Sequence, residues 1–396
     1  MRAEVHGLMH FWLRKGVDGF RMDVINMISK PEGLMDAPVS RPGFLQSGSP
    51  MVTNGPRLQE YLREMKREVL SHYDTITVGE APMATVREGL ALTHATEGAL
   101  NMLFQFEHMD LDAVPGHADG KWALKPLDLR DLKATMSRWQ DALHGEGWNS
   151  LYLGNHDQPR SVSRFGDDGP HRVTSAKMLA TWLHLLQGTP YIYQGDEIGM
   201  TNMPFASPDD LRDIESLNMY RTAVKERGGD PARAMAAIRA KGRDNARTPM
   251  QWDASLHAGF TSATPWIAVN PNHRDINARA AEADADSVFH HYRKLIALRR
   301  QHPVIVHGRH ALQLPDDPLV YAYTRTLDRR SLLVVCNFSA QAPAFEWPSH
   351  LRGASVALLI GNLPVARPEA AEDFTLRPYE ARAYLCNETP LPPTGA

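Results

Sequence analysis

A chain of 396 residues is long enough for two or three domains, because single hydrophobic cores seldom grow beyond roughly 250 to 300 residues. With 43% apolar and 22% charged residues and no apolar run near the ~20 residues of a membrane span, the composition is that of an ordinary globular protein and argues against membrane insertion. A net charge of -3, with the basic residues scattered, gives no footprint for nucleic acid.

From the N-terminus, Val5, Leu8, Met9, Phe11, Trp12 and Leu13 recur at helical spacing and stop at Gly16, so a helix is expected over 4–15. A strand follows at 17–22, then a helix near 58–71 and a strand at 75–79. Further strands are predicted at 101–106, 150–153 and 191–193, with helices near 129–143 and 174–186 between them. This βα alternation is the pattern of a parallel sheet with crossover helices. Five such units are too few for a closed eight-stranded barrel, and the deficit lies at the front. A polar insertion over 207–253 carries helices of its own, and 287–300 reads as one more amphipathic helix. After Pro303, β-rich runs at 319–326, 332–337, 356–360 and 381–385 predict a small antiparallel domain. The expected architecture is α/β: the last five units or so of a (β/α)8 barrel over 1–302, followed by a small β-sandwich domain over 303–396.

Cys336 and Cys386 lie in apolar strand-like runs and read as buried free thiols. Met1 to His6 lacks the basic and apolar regions of a secretory signal, so the expected location is cytoplasmic.

Three acids stand directly after three of the predicted strands: Asp23 in Gly-Phe-Arg-Met-Asp, Glu80 in Thr-Val-Gly-Glu, and Asp157 in Asn-His-Asp. In a βα barrel the C-terminal strand ends converge on one face, where active sites form. Any one such acid is more often a turn or helix-capping residue, but three at near-consecutive strand ends weigh against that reading. Period two puts Arg21 beside Asp23 on one strand face, and a guanidinium there favours the ionised carboxylate. Phe20 and Met22 then face the packing helices. His156, directly before Asp157, is read as a substrate hydrogen-bonding group; Arg160 and Arg164 are read as salt-bridging loop residues, and Trp139, Trp148 and Trp182 as core.

The runs Gly19-Phe-Arg-Met-Asp-Val-Ile-Asn, Thr77-Val-Gly-Glu and Gly154-Asn-His-Asp-Gln-Pro resemble three of the four signature regions of the α-amylase superfamily, glycoside hydrolase family 13. Phe104-Gln-Phe-Glu-His-Met-Asp, Gly188-Thr-Pro-Tyr-Ile-Tyr-Gln-Gly and Gly242-Arg-Asp-Asn-Ala-Arg-Thr-Pro-Met-Gln-Trp-Asp resemble its oligo-1,6-glucosidase and α-glucosidase branch. The resemblance implies a retaining hydrolase of short α-1,6-linked, and also α-1,4-linked, gluco-oligosaccharides. Asp23 would be the nucleophile, Glu80 the general acid/base and Asp157 the stabiliser of the distorted sugar. Arg21, His156 and Arg243 would bind substrate around them, with Val24 and Asn26 near the second sugar. No cofactor or metal is implied, the partner is a small oligosaccharide, and the full-length form is expected to be a monomer. Val24 resembles the α-1,6 pattern; trehalose-6-phosphate hydrolase is the nearest alternative, and a non-catalytic amylase-like binding subunit the alternative of another class. The family's first signature region is not found here, so the first three barrel strands are expected to be missing and the 396 residues alone to be an inactive fragment.

Overall fold

The computed structural model describes residues 1–33, 35–39 and 46–387. They divide into two compact units. The first holds 1–111, 134–151 and 187–189; the second holds 112–133, 152–186 and the chain from Pro190 onward.

In the first unit the helix Arg2–Arg14 leads into β1 (Gly19–Met22). The helix Leu58–Glu68 leads into β2 (Ile76–Glu80), and the helix Val86–Thr93 into β3 (Met102–Phe104). The strands run parallel in the order β1-β2-β3, with Arg21 opposite Val78 and Glu80 opposite Phe104. Leu103 bridges in parallel to Asn149, just before β4 (Ser150–Leu151), which pairs with β5 (Thr189–Pro190). The result is the expected partial barrel of parallel strands and packing helices. Gly19 permits the close approach of β1 to β2, since a Cβ there would lie 1.8 Å from the Ile76 carbonyl oxygen. Leu62, Val69, Leu92, Leu103 and Trp139 are fully buried between strands and helices, and Phe20 and Met22 pack against them, as period two predicts. The helix at Val86 was not foreseen; its signal is the capping box in which Thr85 and Glu88 satisfy each other's backbone.

One strand moves. The aromatic run Tyr191 to Tyr193 predicts a strand, but pairing is confined to Thr189–Pro190. Pro190 has no N–H with which to extend a ladder, and the Tyr193 N–H is instead given to the Asp196 carboxylate (3.2 Å).

In the second unit the helix Arg172–His184 is buried on nearly every side, which accounts for its weak amphipathic pattern. It packs against the helix Val288–Gln301 and against the C-terminal strands. These are β6 (Arg309–Gln313), β7 (Val320–Leu327), β8 (Arg330–Asn337), β9 (Ala344–Phe345), β10 (Ser355–Gly361), β11 (Phe374–Thr375) and β12 (Ala381–Asn387). Five form an antiparallel sheet in the order β10-β12-β8-β7-β6, and β9 pairs with β11. Val320, Leu333, Val335, Phe345, Trp347 and Tyr384 fill the core of this antiparallel domain. Trp182 rests its ring on Tyr321 and Phe338, and its carbonyl accepts the Tyr323 hydroxyl (2.8 Å). Cys336 and Cys386 are buried free thiols, and burial pushes Cys386 up to about 11.

The insertion builds the helix Ile214–Tyr220, capped by Asp213, and the helices Pro231–Lys241 and Asp244–Arg247. Among the described residues no helix is long and apolar enough to cross a membrane.

Candidate functional site

Asp23 and Glu80 stand at the C-terminal ends of adjacent parallel strands. A single guanidinium straddles them: Arg21 donates through Nη1 to Asp23 Oδ1, and its Nη2 lies 2.8 Å from Glu80 Oε2. The two acids differ in environment. The Asp23 side chain is 73% exposed, whereas that of Glu80 is only 10% exposed. Burial, aided by a hydrogen bond shared with Asp23, raises the Glu80 carboxyl above the ordinary glutamate range. The Val24 N–H (3.2 Å to Oε2) and the Arg21 guanidinium pull the other way without reversing it. One carboxyl is thus open and the other is disposed to hold a proton.

Val24 delivers that N–H from a left-handed backbone, φ 35° and ψ 43°, a costly conformation for a β-branched residue. Behind it, Asn26 is fully buried. Both its amide hydrogens are committed, to Asn54 Oδ1 (3.0 Å) and to the Pro82 carbonyl (2.8 Å), so Asn26 ties the loop after β1 to the loop after β2.

The other predicted residues belong to the second unit. Asp157 follows β4 and lies beside two arginines. Arg247 Nη2 is 2.6 Å from Asp157 Oδ1 and Arg243 Nη1 is 3.5 Å from the same oxygen. His156 Nε2 lies 3.8 Å from that oxygen and its ring is exposed. Both guanidiniums also reach buried Asp213 Oδ1, at 3.3 Å from Arg247 and 3.1 Å from Arg243. Arg243 Nε is 3.1 Å from Glu215 Oε2, an ion pair not aligned as a hydrogen bond. Partial burial opposes the charge on Arg243, but Asp213, Glu215 and Asp157 outweigh it and hold the guanidinium above its ordinary value.

Sequence reasoning singled out Arg243 and passed over Arg247, Asp213 and Glu215. Arg247 sits four residues after Arg243, the spacing that stacks side chains on one helix face, and this signal was available. Arg164 makes the expected salt bridge, a fork on Asp112 with both bonds at 2.8 Å. Arg160 does not: 2% exposed, it donates to the carbonyls of Gln194 (2.7 Å), Asn245 (3.0 Å) and Ala246 (3.2 Å). A buried guanidinium offers five donors in a fixed fork, and this one uses them to join the loop after β5 to the helix carrying Arg247. Trp139 and Trp182 are fully buried, as expected of core, while Trp148 is half-buried with its indole N–H on Thr189. Among the described residues no three His, Cys, Asp or Glu side chains are grouped as a metal site.

Comparison with known proteins adds the following. A family model described as "Alpha amylase, catalytic domain" matches residues 1–308, and one described as "Maltogenic Amylase, C-terminal domain" matches 311–382. The oligo-1,6-glucosidase of Parageobacillus thermoglucosidasius is 58% identical over 384 residues, covering 97% of this chain and 68% of that protein. The trehalose-6-phosphate hydrolase of Bacillus subtilis is 47% identical over 387 residues, covering 97% and 67%. The crystal structure of the Bacillus licheniformis trehalose-6-phosphate hydrolase superposes with a TM-score of 0.89 at 44% identity, covering 98% of this chain and 68% of the other. The chain therefore spans about two thirds of the length of these relatives.

Proposed function

The chain belongs to the α-amylase superfamily, glycoside hydrolase family 13, as a retaining glycosidase of the oligo-1,6-glucosidase type, and from that premise we propose that, within a completed barrel, it cleaves short α-1,6-linked glucosides through Asp23 and Glu80. The observation that carries the assignment of roles is the Arg21 guanidinium straddling two carboxyls of opposite environment at neighbouring strand ends. Asp23 attacks the anomeric carbon while Glu80, whose burial favours the protonated form, gives its proton to the leaving oxygen. The glycosyl ester on Asp23 is then released by water, with Glu80 as the base. Asp157 takes sugar hydroxyls, with His156 and Arg243 beside it, Arg21 binds substrate next to Asp23 and Glu80, and Asn26 contributes by holding the loop that carries Val24. We place the end of the catalytic segment at about residue 302 and the start of the β domain at 303; the two matching family models change over between 308 and 311.

The α-1,6 preference rests on Val24 and on the higher identity to the oligo-1,6-glucosidase than to the trehalose-6-phosphate hydrolase. Specificity constants for isomaltose, maltose and trehalose-6-phosphate test it. Isomaltose is expected to be the best of the three, and Val24→Thr to raise maltose relative to isomaltose. A specificity constant for trehalose-6-phosphate above that for isomaltose would replace this reading with the phosphorylated substrate.

A further inference from the structure

We infer that Arg247 is a positioning residue for the proposed reaction: it clamps one oxygen of Asp157 so that the other faces the sugar. The inference deepens the reading of Asp157 as a substrate-binding carboxylate and rests on it.

All three nitrogens of the Arg247 guanidinium are engaged on the segment it positions or on the support beneath it. Nη2 lies 2.6 Å from Asp157 Oδ1, Nε donates to the His156 carbonyl (2.9 Å), and Nη1 reaches Asp213 (3.3 Å). The side chain therefore grips consecutive residues of the Asn-His-Asp turn by backbone and by carboxylate. A planar fork with donors in fixed directions sets the rotation of a carboxylate in a way that a point charge does not.

The support is independently built. Asp213, only 2% exposed at its side chain, also caps the helix Ile214–Tyr220 by accepting from Ser216 N–H (3.2 Å), so its carboxylate is held by the insertion. The backbone behind Arg247 is held by Arg160 through the Asn245 and Ala246 carbonyls. Arg243 meets the same Asp157 oxygen only at 3.5 Å, with its other nitrogens turned to Asp213 and Glu215. Every charged group near Asp157 converges on Oδ1, and Oδ2 accepts from no group among the described residues. A carboxylate with one oxygen clamped and the other unengaged has one direction in which to receive hydroxyls. Arg247 makes the shorter and more complete contact of the two arginines, so it carries the orienting role.

The test is a cycle of Arg247→Gln, Asp157→Asn and the double variant, assayed for kcat and KM on isomaltose and on p-nitrophenyl α-glucoside. Thermal unfolding of each variant is followed alongside. Misplacing a group that orients substrate costs on the order of 10²-fold in kcat/KM. Arg247→Gln is expected to lose about that much, and Arg247→Lys to recover only a small part. In the Asp157→Asn background, Arg247→Gln is expected to add less than about threefold, because residues acting as one unit are not additive. Full additivity of the two losses, or a fall in thermal stability with kcat and KM unchanged for the folded enzyme, overturns the inference. Near-normal activity of Asp157→Asn by itself would instead remove the underlying reading of Asp157.

Discussion

Two charged clusters organise this protein, and they are built on opposite plans. At the ends of β1 and β2, one arginine serves two carboxyls; one of them is exposed, and the other is buried and pushed toward its protonated form. Around Asp157, two arginines serve three carboxylates, and each carboxylate touches a guanidinium. The first plan gives two acids opposite environments, one of which favours the protonated form, and this is what acid and nucleophile chemistry needs. The second binds and orients without any group having to give up a proton. The backbone differs as well. Val24 in the first cluster is left-handed, whereas none of Asp157, Asp213, Glu215, Arg243 and Arg247 has a positive φ.

The sharpest way to break the contrast is Asp23→Asn, which leaves the arginine and Glu80 but removes the only exposed carboxylate of the pair. Turnover of isomaltose and of p-nitrophenyl α-glucoside should fall together by about 10⁴-fold or more, as for loss of a covalent nucleophile. Retention of a tenth of the activity on both substrates would show that another group attacks.

Glu80→Gln should have a smaller and selective effect. General acid catalysis is worth roughly 10² to 10⁴-fold, and an activated aryl leaving group scarcely needs it in the first step. Pre-steady-state glycosylation should therefore be slowed strongly for isomaltose and little for the aryl glucoside; equal losses would count against Glu80. The wild-type pH profile carries a linked expectation. Because the folded carboxyl is raised above its ordinary range, the protonated acid persists at pH values where a free glutamate would be ionised, and glycosylation declines as pH rises through the raised value. Glu80→Gln should abolish that alkaline limb in the glycosylation step. By the same sign, the buried carboxyl favours folding less as pH rises, so the stability difference between wild type and Glu80→Gln should shift toward the variant at higher pH.

The smallest effect is expected from Val24→Gly. A left-handed β-branched residue carries strain of order 1 to 3 kcal/mol, while glycine adds flexibility to the unfolded chain that costs roughly 0.5 to 1 kcal/mol. The net change in stability should lie within about 2 kcal/mol and on the stabilising side, with kcat/KM reduced because the N–H on Glu80 is less firmly held. A clear loss of stability in chemical denaturation would show that Val24 packs more than it strains.

Asp23, Glu80 and Asp157 were legible as a set because each stands at or beyond the end of a short apolar, strand-like run, and strand ends in βα units point one way. The helix at 129–143 was legible to the residue, since its apolar spacing has one solution. Local pattern also set Phe20 and Met22 against the core and Arg21 beside Asp23. Tertiary structure decided the rest. That Arg247 reaches Asp157 more closely than Arg243, that Arg160 spends its charge on carbonyls, and that Glu80 is buried while Asp23 is open all depend on side chains meeting from segments up to 90 residues apart. An arginine has a long stem and several donors, so its sequence position allows many partners; only the folded backbone, by fixing which carboxylates and carbonyls lie within reach, selects among them.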